Sequence, residues 1–321
     1  MTKEQILKIL EMPDEAFQKE EMPKAREVKR LHDNTLYGTA MLGYTNICRN
    51  QCLYCGMRAS NRIPHFSLPK EDVLESVMLA KERGFTRVFL ISGEDPKHHF
   101  TDLLWLTERI AKNGMRLSLA CGEHDRSQFR ELADAGAAEY VIKFEMSQKE
   151  MFDYMNPSTT FEKRMAAIEA VKDSGMDLAS GNIIDYPGQT REMIAQDILL
   201  MNELEISWAP VVPFMPAMGT PLQQQGAKPG SRILALKEIA VLRQMMPDIR
   251  ITAQQPGDDL TKGLADAQGN LDAIAAGADI LFCDLLPEAK AQAFRVVDDR
   301  KLKNEEHLHK MADESGMTLS L

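Results

Sequence analysis

Several things are scarce or missing in this chain, and each removes a class of function. Residues 1 to 40 hold no apolar run long enough for a secretory signal or a membrane span; they begin instead with mixed charged and apolar positions such as Lys3, Ile6, Leu7, Ile9 and Leu10. A cytoplasmic location is the expectation. Positive charge is in deficit, with a net charge of −10, which argues against a nucleic-acid partner or an acidic membrane surface. Only five of 321 residues are cysteine and three of those are crowded together, so no disulfide framework is expected. A reducing compartment leaves such thiols free for metal. No linker, low-complexity tract or second globular unit stands out.

What is present is a globular balance of 44% hydrophobic and 27% charged residues, in a length that suits an α/β barrel of about 250 residues with extensions. Eight short apolar runs read as strands: 41–47, 87–92, 115–120, 139–144, 177–183, 209–214, 249–253 and 279–283. Stretches of helical period alternate with them, at 70–83, 102–112, 128–135, 161–173, 192–204, 233–245 and 269–276. Gly84, Gly114, Gly136, Gly175 and Gly277 fall between a helix and the next strand, where a left-handed cap is wanted. The pattern predicts a helical N-terminal extension over 1–40 and a (β/α)8 TIM-type barrel over 41–321. A doubly wound open sheet uses the same alternation but has no need of eight comparable units.

The most informative stretch is Cys48-Arg-Asn-Gln-Cys52-Leu-Tyr-Cys55, directly after the first predicted strand. Thiolates at C-x3-C-x2-C spacing can hold three corners of a cubic iron–sulfur cluster, whose fourth iron then keeps an open position for chemistry. A structural zinc site with His65 as fourth ligand is the alternative, although zinc sites usually draw on two separated ligand pairs. The loops after the C-terminal ends of barrel strands carry function, and this loop is one of them.

Other strand ends carry polar residues. Gly93-Glu94 follows the second strand; taken alone it is an ordinary turn. Alternation points Lys143 and Glu145 to one side of the fourth strand and Phe144 to the other, and an inward lysine and carboxylate need pairing or a ligand. Arg164 lies in a charged helix, where it is a surface residue or a cation for a carboxylate. Ser92, Ser118, Lys143, Ser180, Thr252, Gln254 and Asp284 are in or just after predicted strands, where polar groups orient a small ligand. Lys143 and Asp284 are candidates for the two charged ends of a zwitterion. Cys121 and Cys283 end the third and eighth strands and read as small buried hydrophobes.

The cysteine loop, including Tyr54 before its last cysteine, resembles the signature of the radical S-adenosylmethionine (SAM) superfamily. The resemblance implies a [4Fe–4S] cluster on Cys48, Cys52 and Cys55 that splits SAM to a 5′-deoxyadenosyl radical, with oxygen sensitivity and an electron donor such as a flavodoxin or ferredoxin. It also implies that Gly93 and Glu94 border the amino group of SAM, that Glu145 and Arg164 bind its polar end, and that Ile183, Tyr186 and Met215 flank the adenine. From Thr45 to about Leu222 the chain resembles the [FeFe]-hydrogenase maturase and methylornithine synthase group, near biotin synthase, through Ser92-Gly-Glu-Asp-Pro96, Lys143-Phe-Glu145, Thr160-Phe-Glu-Lys-Arg164, Tyr186-Pro-Gly-Gln-Thr190 and Gly219-Thr-Pro-Leu222. Leu117 to Glu123 looks closer to the maturase; Gly277 to Leu281 with Asp298-Asp299-Arg300 looks closer to the synthase. Pro210 and Gln254 or Gln255 depart from the synthase pattern, in the half of the cavity where substrate belongs. Three readings follow: a maturase-like enzyme on a small substrate, a mutase acting on an amino acid such as lysine, or a non-catalytic iron–sulfur or zinc assembly protein.

Overall fold

Short apolar runs that return through a helix each time can pair only as parallel strands, and a parallel sheet with helices on one side curls until its edges meet. The computed structural model describes residues 1–298 and 303–321, so Asp299 and Arg300 lie outside the described residues. The strands are β1 (Thr35–Thr45), β2 (Arg87–Ser92), β3 (Arg116–Ala120), β4 (Glu139–Val141), β5 (Asp177–Ala179), β6 (Ile183–Ile184), β7 (Trp208–Ala209), β8 (Val212–Pro213), β9 (Arg250–Ile251), β10 (Ile280–Asp284) and β11 (Thr318–Ser320). Parallel neighbours follow the order β10-β1-β2-β3-β4-β5-β7-β9. The ends of that order also meet: Asp279 N donates to Ile251 O at 2.9 Å and Ala253 N to Ile280 O at 2.8 Å. This seam closes the expected (β/α)8 barrel.

Asp279 locks the seam with its side chain. Oδ1 accepts from Ile251 N at 2.7 Å, while Oδ2 meets Lys29 at 2.7 Å and Arg243 at 3.0 Å, all three side chains almost wholly buried. Removing one partner of such a buried set costs about 3–5 kcal/mol. Lys29 comes from the helix Asp14–His32, so the N-terminal helices are fastened to the barrel.

The first strand starts at Thr35 rather than at the expected Met41, which puts the 40/41 boundary inside β1. Its first residues pair with β11, a partner from the far end of the chain that no local pattern reveals. The runs 177–183 and 209–214 are each cut in two. Pro210 has no N–H to offer the ladder, so β5 meets β7 only at Ala179 and Trp208, and the chain resumes as the separate pair β6–β8. The five inter-element glycines all adopt positive φ. At Gly136 (φ 102°) a Cβ would also approach Ala111 to 2.6 Å, so both conformation and space demand glycine.

Inside the barrel, Met41, Phe89, Val141, Ala179, Trp208, Ile280 and Phe282 pack together. Phe89 stands edge-on to Trp208 with ring centroids 5.2 Å apart, and Phe282 tilts against both at 5.7 Å. Beneath this layer Glu139 is fully buried and accepts from Ser118 at 2.7 Å, from Ser207 at 2.6 Å and from Arg250. Aromatics above and an ion pair below fill the barrel's lower half.

Candidate active site

β1 delivers the chain to the C-terminal rim, and the cysteine loop is held there by its neighbours. The buried Asn46 side chain donates to Pro64 O and Ala293 O, both at 2.7 Å. Gly93 N donates to Thr45 O and Arg49 N to Glu94 O, both at 2.9 Å, while Gly56 N reaches Val296 O at 3.1 Å. The loop and the end of β2 run so close that a Cβ on Gly93 would lie 2.2 Å from Ile47 O. The Glu94 carboxylate closes the join, taking Asn50 Nδ2 at 2.9 Å and Arg49 Nη2 at 3.2 Å.

Burial pushes all three thiols of this loop up, Cys52 to about 12. Thiols so placed ionise when a metal takes the place of the proton. Among the described residues no three His, Cys, Asp or Glu side chains converge as a single-ion site, and His65 is exposed. A zinc ion needs its donors around one point, whereas a cubane takes each thiolate on a separate iron. The loop fits a cluster.

Cys48 opens on a cavity of about 430 Å³ at the barrel mouth, a size suited to small ligands. Tyr54, Gly93, Glu94, Glu145, Arg164, Ile183 and Met215 line it, and so do Ser92, Lys143, Thr252, Gln254 and Asp284. Phe89, Trp208 and Phe282 form its floor. The remaining expected residues lie elsewhere. Cys52 and Cys55 sit behind Cys48, with the charges of Cys48 and Glu145 acting on both. Tyr186 packs behind Ile183 and Phe214, its hydroxyl donating to Gln148 at 3.0 Å. Ser118 faces inward but lies below the cavity, where it is bound to Glu139. Ser180 is fully buried and accepts from Phe144 N at 3.3 Å. Cys121 and Cys283 point away from the cavity into the outer core.

Lys143 and Glu145 share the cavity wall while Phe144 is fully buried behind them. Glu145 is one of few non-glycine residues at positive φ (59°), a costly conformation that turns its carboxylate into the cavity. Its Oε2 lies 3.1 Å from Lys143 Nζ but makes no hydrogen bond. The pair holds one ammonium without a hydrogen bond to that oxygen, so the carboxylate keeps capacity for a second. Arg164 Nε donates to Glu123 at 2.7 Å, and Nη1 donates to Lys143 O. Burial works against its charge, but Glu123 and Glu145 more than compensate and its affinity for the proton rises. A fixed cation for a carboxylate results.

Glu123 was not anticipated as a site residue, although the sequence carries a cue: Ser92-Gly-Glu94 after β2 is echoed by Cys121-Gly-Glu123 after β3. In both, a glycine lets the backbone come near and a carboxylate follows. Gly122 has φ 92° and a Cβ there would lie 2.5 Å from Glu94 Cγ, so the two turns pack on each other.

The profile of the radical SAM superfamily matches residues 42–201, the span from β1 through the cysteine loop to the helix Arg191–Glu203. The chain belongs to the radical SAM superfamily. This makes it an enzyme of reductive SAM cleavage with a [4Fe–4S] cluster and SAM as cofactors. It is 27% identical to the [FeFe] hydrogenase maturase subunit HydE of Thermotoga maritima, over 92% of this chain and 83% of that one. It is 24% identical to the 3-methylornithine synthase of Methanosarcina acetivorans, over 87% of this chain and 80% of the relative. The crystal structure of methylornithine synthase (PylB) superposes with a TM-score of 0.85 at 22% identity, covering 100% of this chain and 94% of that one. That likeness is one of fold. No helix among the described residues is long and apolar enough to cross a membrane.

Proposed function

We propose that Cys48, Cys52 and Cys55 hold the cluster and that SAM lies across the wall formed by Gly93, Glu94, Glu145 and Arg164. Its adenine rests near Ile183 and Met215, backed by Tyr186. The cluster and SAM, when bound, supply a 5′-deoxyadenosyl radical. The protein's residues do the rest. Arg164, fixed by Glu123, offers a cation to the carboxylate of SAM, and Glu145, whose Oε2 pairs with Lys143, offers its carboxylate to the ammonium. The aromatic floor excludes water from beneath.

The substrate is a small molecule with an apolar body against Phe89, Trp208 and Phe282 and charged ends toward Lys143 and Asp284. A flavodoxin or ferredoxin supplies the electron, with exposed Arg49 within the cysteine loop and exposed Arg62 beyond it for docking. One observation carries this reading: a rim cysteine, a carboxylate already facing an ammonium group and a fixed guanidinium all open on one cavity. The test is anaerobic reconstitution, reduction with dithionite and assay for 5′-deoxyadenosine. The wild type yields it and Cys52→Ala abolishes it; product undiminished in the variant refutes the assignment. A crystal structure with substrate bound then chooses between an amino acid, as the name of the methylornithine synthase suggests, and the maturase-like alternative.

A further inference from the structure

We propose that Glu238 carries a proton and acts as a positioning residue: through Asn182 it fixes the left-handed turn at Glu145 and so the aim of that carboxylate. The proposal rests on the role given to Glu145 above.

The backbone supplies the first half of the argument. Glu145 N donates to Gly181 O at 3.0 Å and Ile183 N donates to Glu145 O at 2.9 Å, an isolated bridge that pairs Glu145 with Asn182. A carboxylate residue at φ 59° persists only where its surroundings over-determine it. What surrounds this bridge is the Asn182 side chain, fully buried between two acids from two helices. Its Nδ2 donates to Asp197 Oδ2 at 3.2 Å and to Glu238 Oε2 at 3.3 Å.

The two acids differ in how they are satisfied. Asp197 accepts four hydrogen bonds: Ser147 N at 2.9 Å, Ser147 Oγ at 2.5 Å, Gln189 Nε2 at 3.1 Å and Asn182 Nδ2. That fills an ionised carboxylate. Glu238 accepts one, its Oε1 has no partner, and Asn182 Oδ1 has none either. A proton on Glu238 supplies the donor that the amide oxygen lacks, and two neighbouring buried acids then share one charge instead of two. The titration tendencies agree. Burial, with Asp197 alongside, holds the Glu238 carboxyl well above the usual range, while Lys143 opposes this; burial raises Asp197 only to about 6. Ser147 follows Glu145 by two residues, so Asp197 holds the chain on both sides of the turn and Glu238 holds the Asn182 side.

Three readouts on the reconstituted enzyme test this. The infrared spectrum of the wild type contains the carbonyl stretch of a neutral carboxyl group, and Glu238→Gln removes it. Amide exchange over 143–147 and 181–184 stays slow in E238Q and quickens about tenfold in Glu238→Ala, because the neutral amide replaces the neutral acid and alanine does not. SAM affinity follows the same order, unchanged in E238Q and about tenfold weaker in E238A. The absence of the infrared band, or an E238Q variant as damaged as E238A, overturns the proposal; so does unchanged exchange in E238A. Should E238A fail to fold, the band and the E238Q result still decide. A wild type that binds no SAM defeats the proposed function alone, since the band and the exchange rates judge Glu238 without it.

Discussion

Gly93→Ala separates close approach from backbone conformation. At Gly93 an added Cβ would stand 2.2 Å from Ile47 O and 2.8 Å from Ile47 C, and Cys48 Cβ would be 3.0 Å away. Carbon contacts are comfortable near 3.5 Å, so the backbone that carries Cys48 must retreat by about 1 Å. Overpacking of this kind costs about 1–3 kcal/mol. A displacement of about 1 Å in a catalytic arrangement costs roughly 10²-fold in rate. The control is Gly84→Ala: there φ is 99° and nothing lies within 4 Å, so the variant is strained but touches nothing. It should lose about 1–2 kcal/mol and keep full turnover. Calorimetry, iron and sulfide content and 5′-deoxyadenosine formation are measured on both variants. If G93A turns over like the wild type, or loses activity only in proportion to G84A, the proposed coupling between β2 and the cysteine loop is wrong.

Other substitutions probe the cavity wall and the buried acids. Arg164→Lys keeps a positive charge but cannot reach Glu123 and Lys143 O together, so SAM binding should weaken by about 2 kcal/mol in calorimetric titration, and unchanged affinity would remove Arg164 from the site. Lys143→Ala should raise KM for the substrate with little effect on uncoupled SAM cleavage; substrate affinity equal to wild type refutes its role. Because Glu238 keeps its proton folded and releases it unfolded, the wild type should lose stability relative to E238Q as pH rises from the ordinary glutamate value toward the raised folded one. The slope is at most about 1.4 kcal/mol per pH unit, and urea melts at pH 6 and pH 8 that show a constant difference would contradict it.

Local features were legible in the sequence. The cysteine spacing lies within one loop, and Lys143 and Glu145 share the cavity wall with Phe144 behind them, as alternation suggests, although β4 ends at Val141 and a left-handed turn at Glu145 sets that placement. Position in a strand marks Ser118 as a candidate but says nothing of depth, and Ser118 lies with Glu139 beneath the floor. What no local pattern carries is convergence from distant elements. Asn182, Asp197 and Glu238 come from a loop and two helices, and nothing in their own neighbourhoods marks them. β11 extends β1 for the same reason. Glu123 lies between these cases, since the repeated Gly-Glu turn was readable and its partner, Arg164, was named without it.

The aromatic layer across the barrel has a consequence for traffic. Among the described residues the well is closed at its base by the aromatic layer, and the cysteine loop stands at its open end. With the sulfonium compound across the upper wall as proposed, a guest resting against Trp208 arrives before it and departs after its fragments, so binding should be compulsory-order.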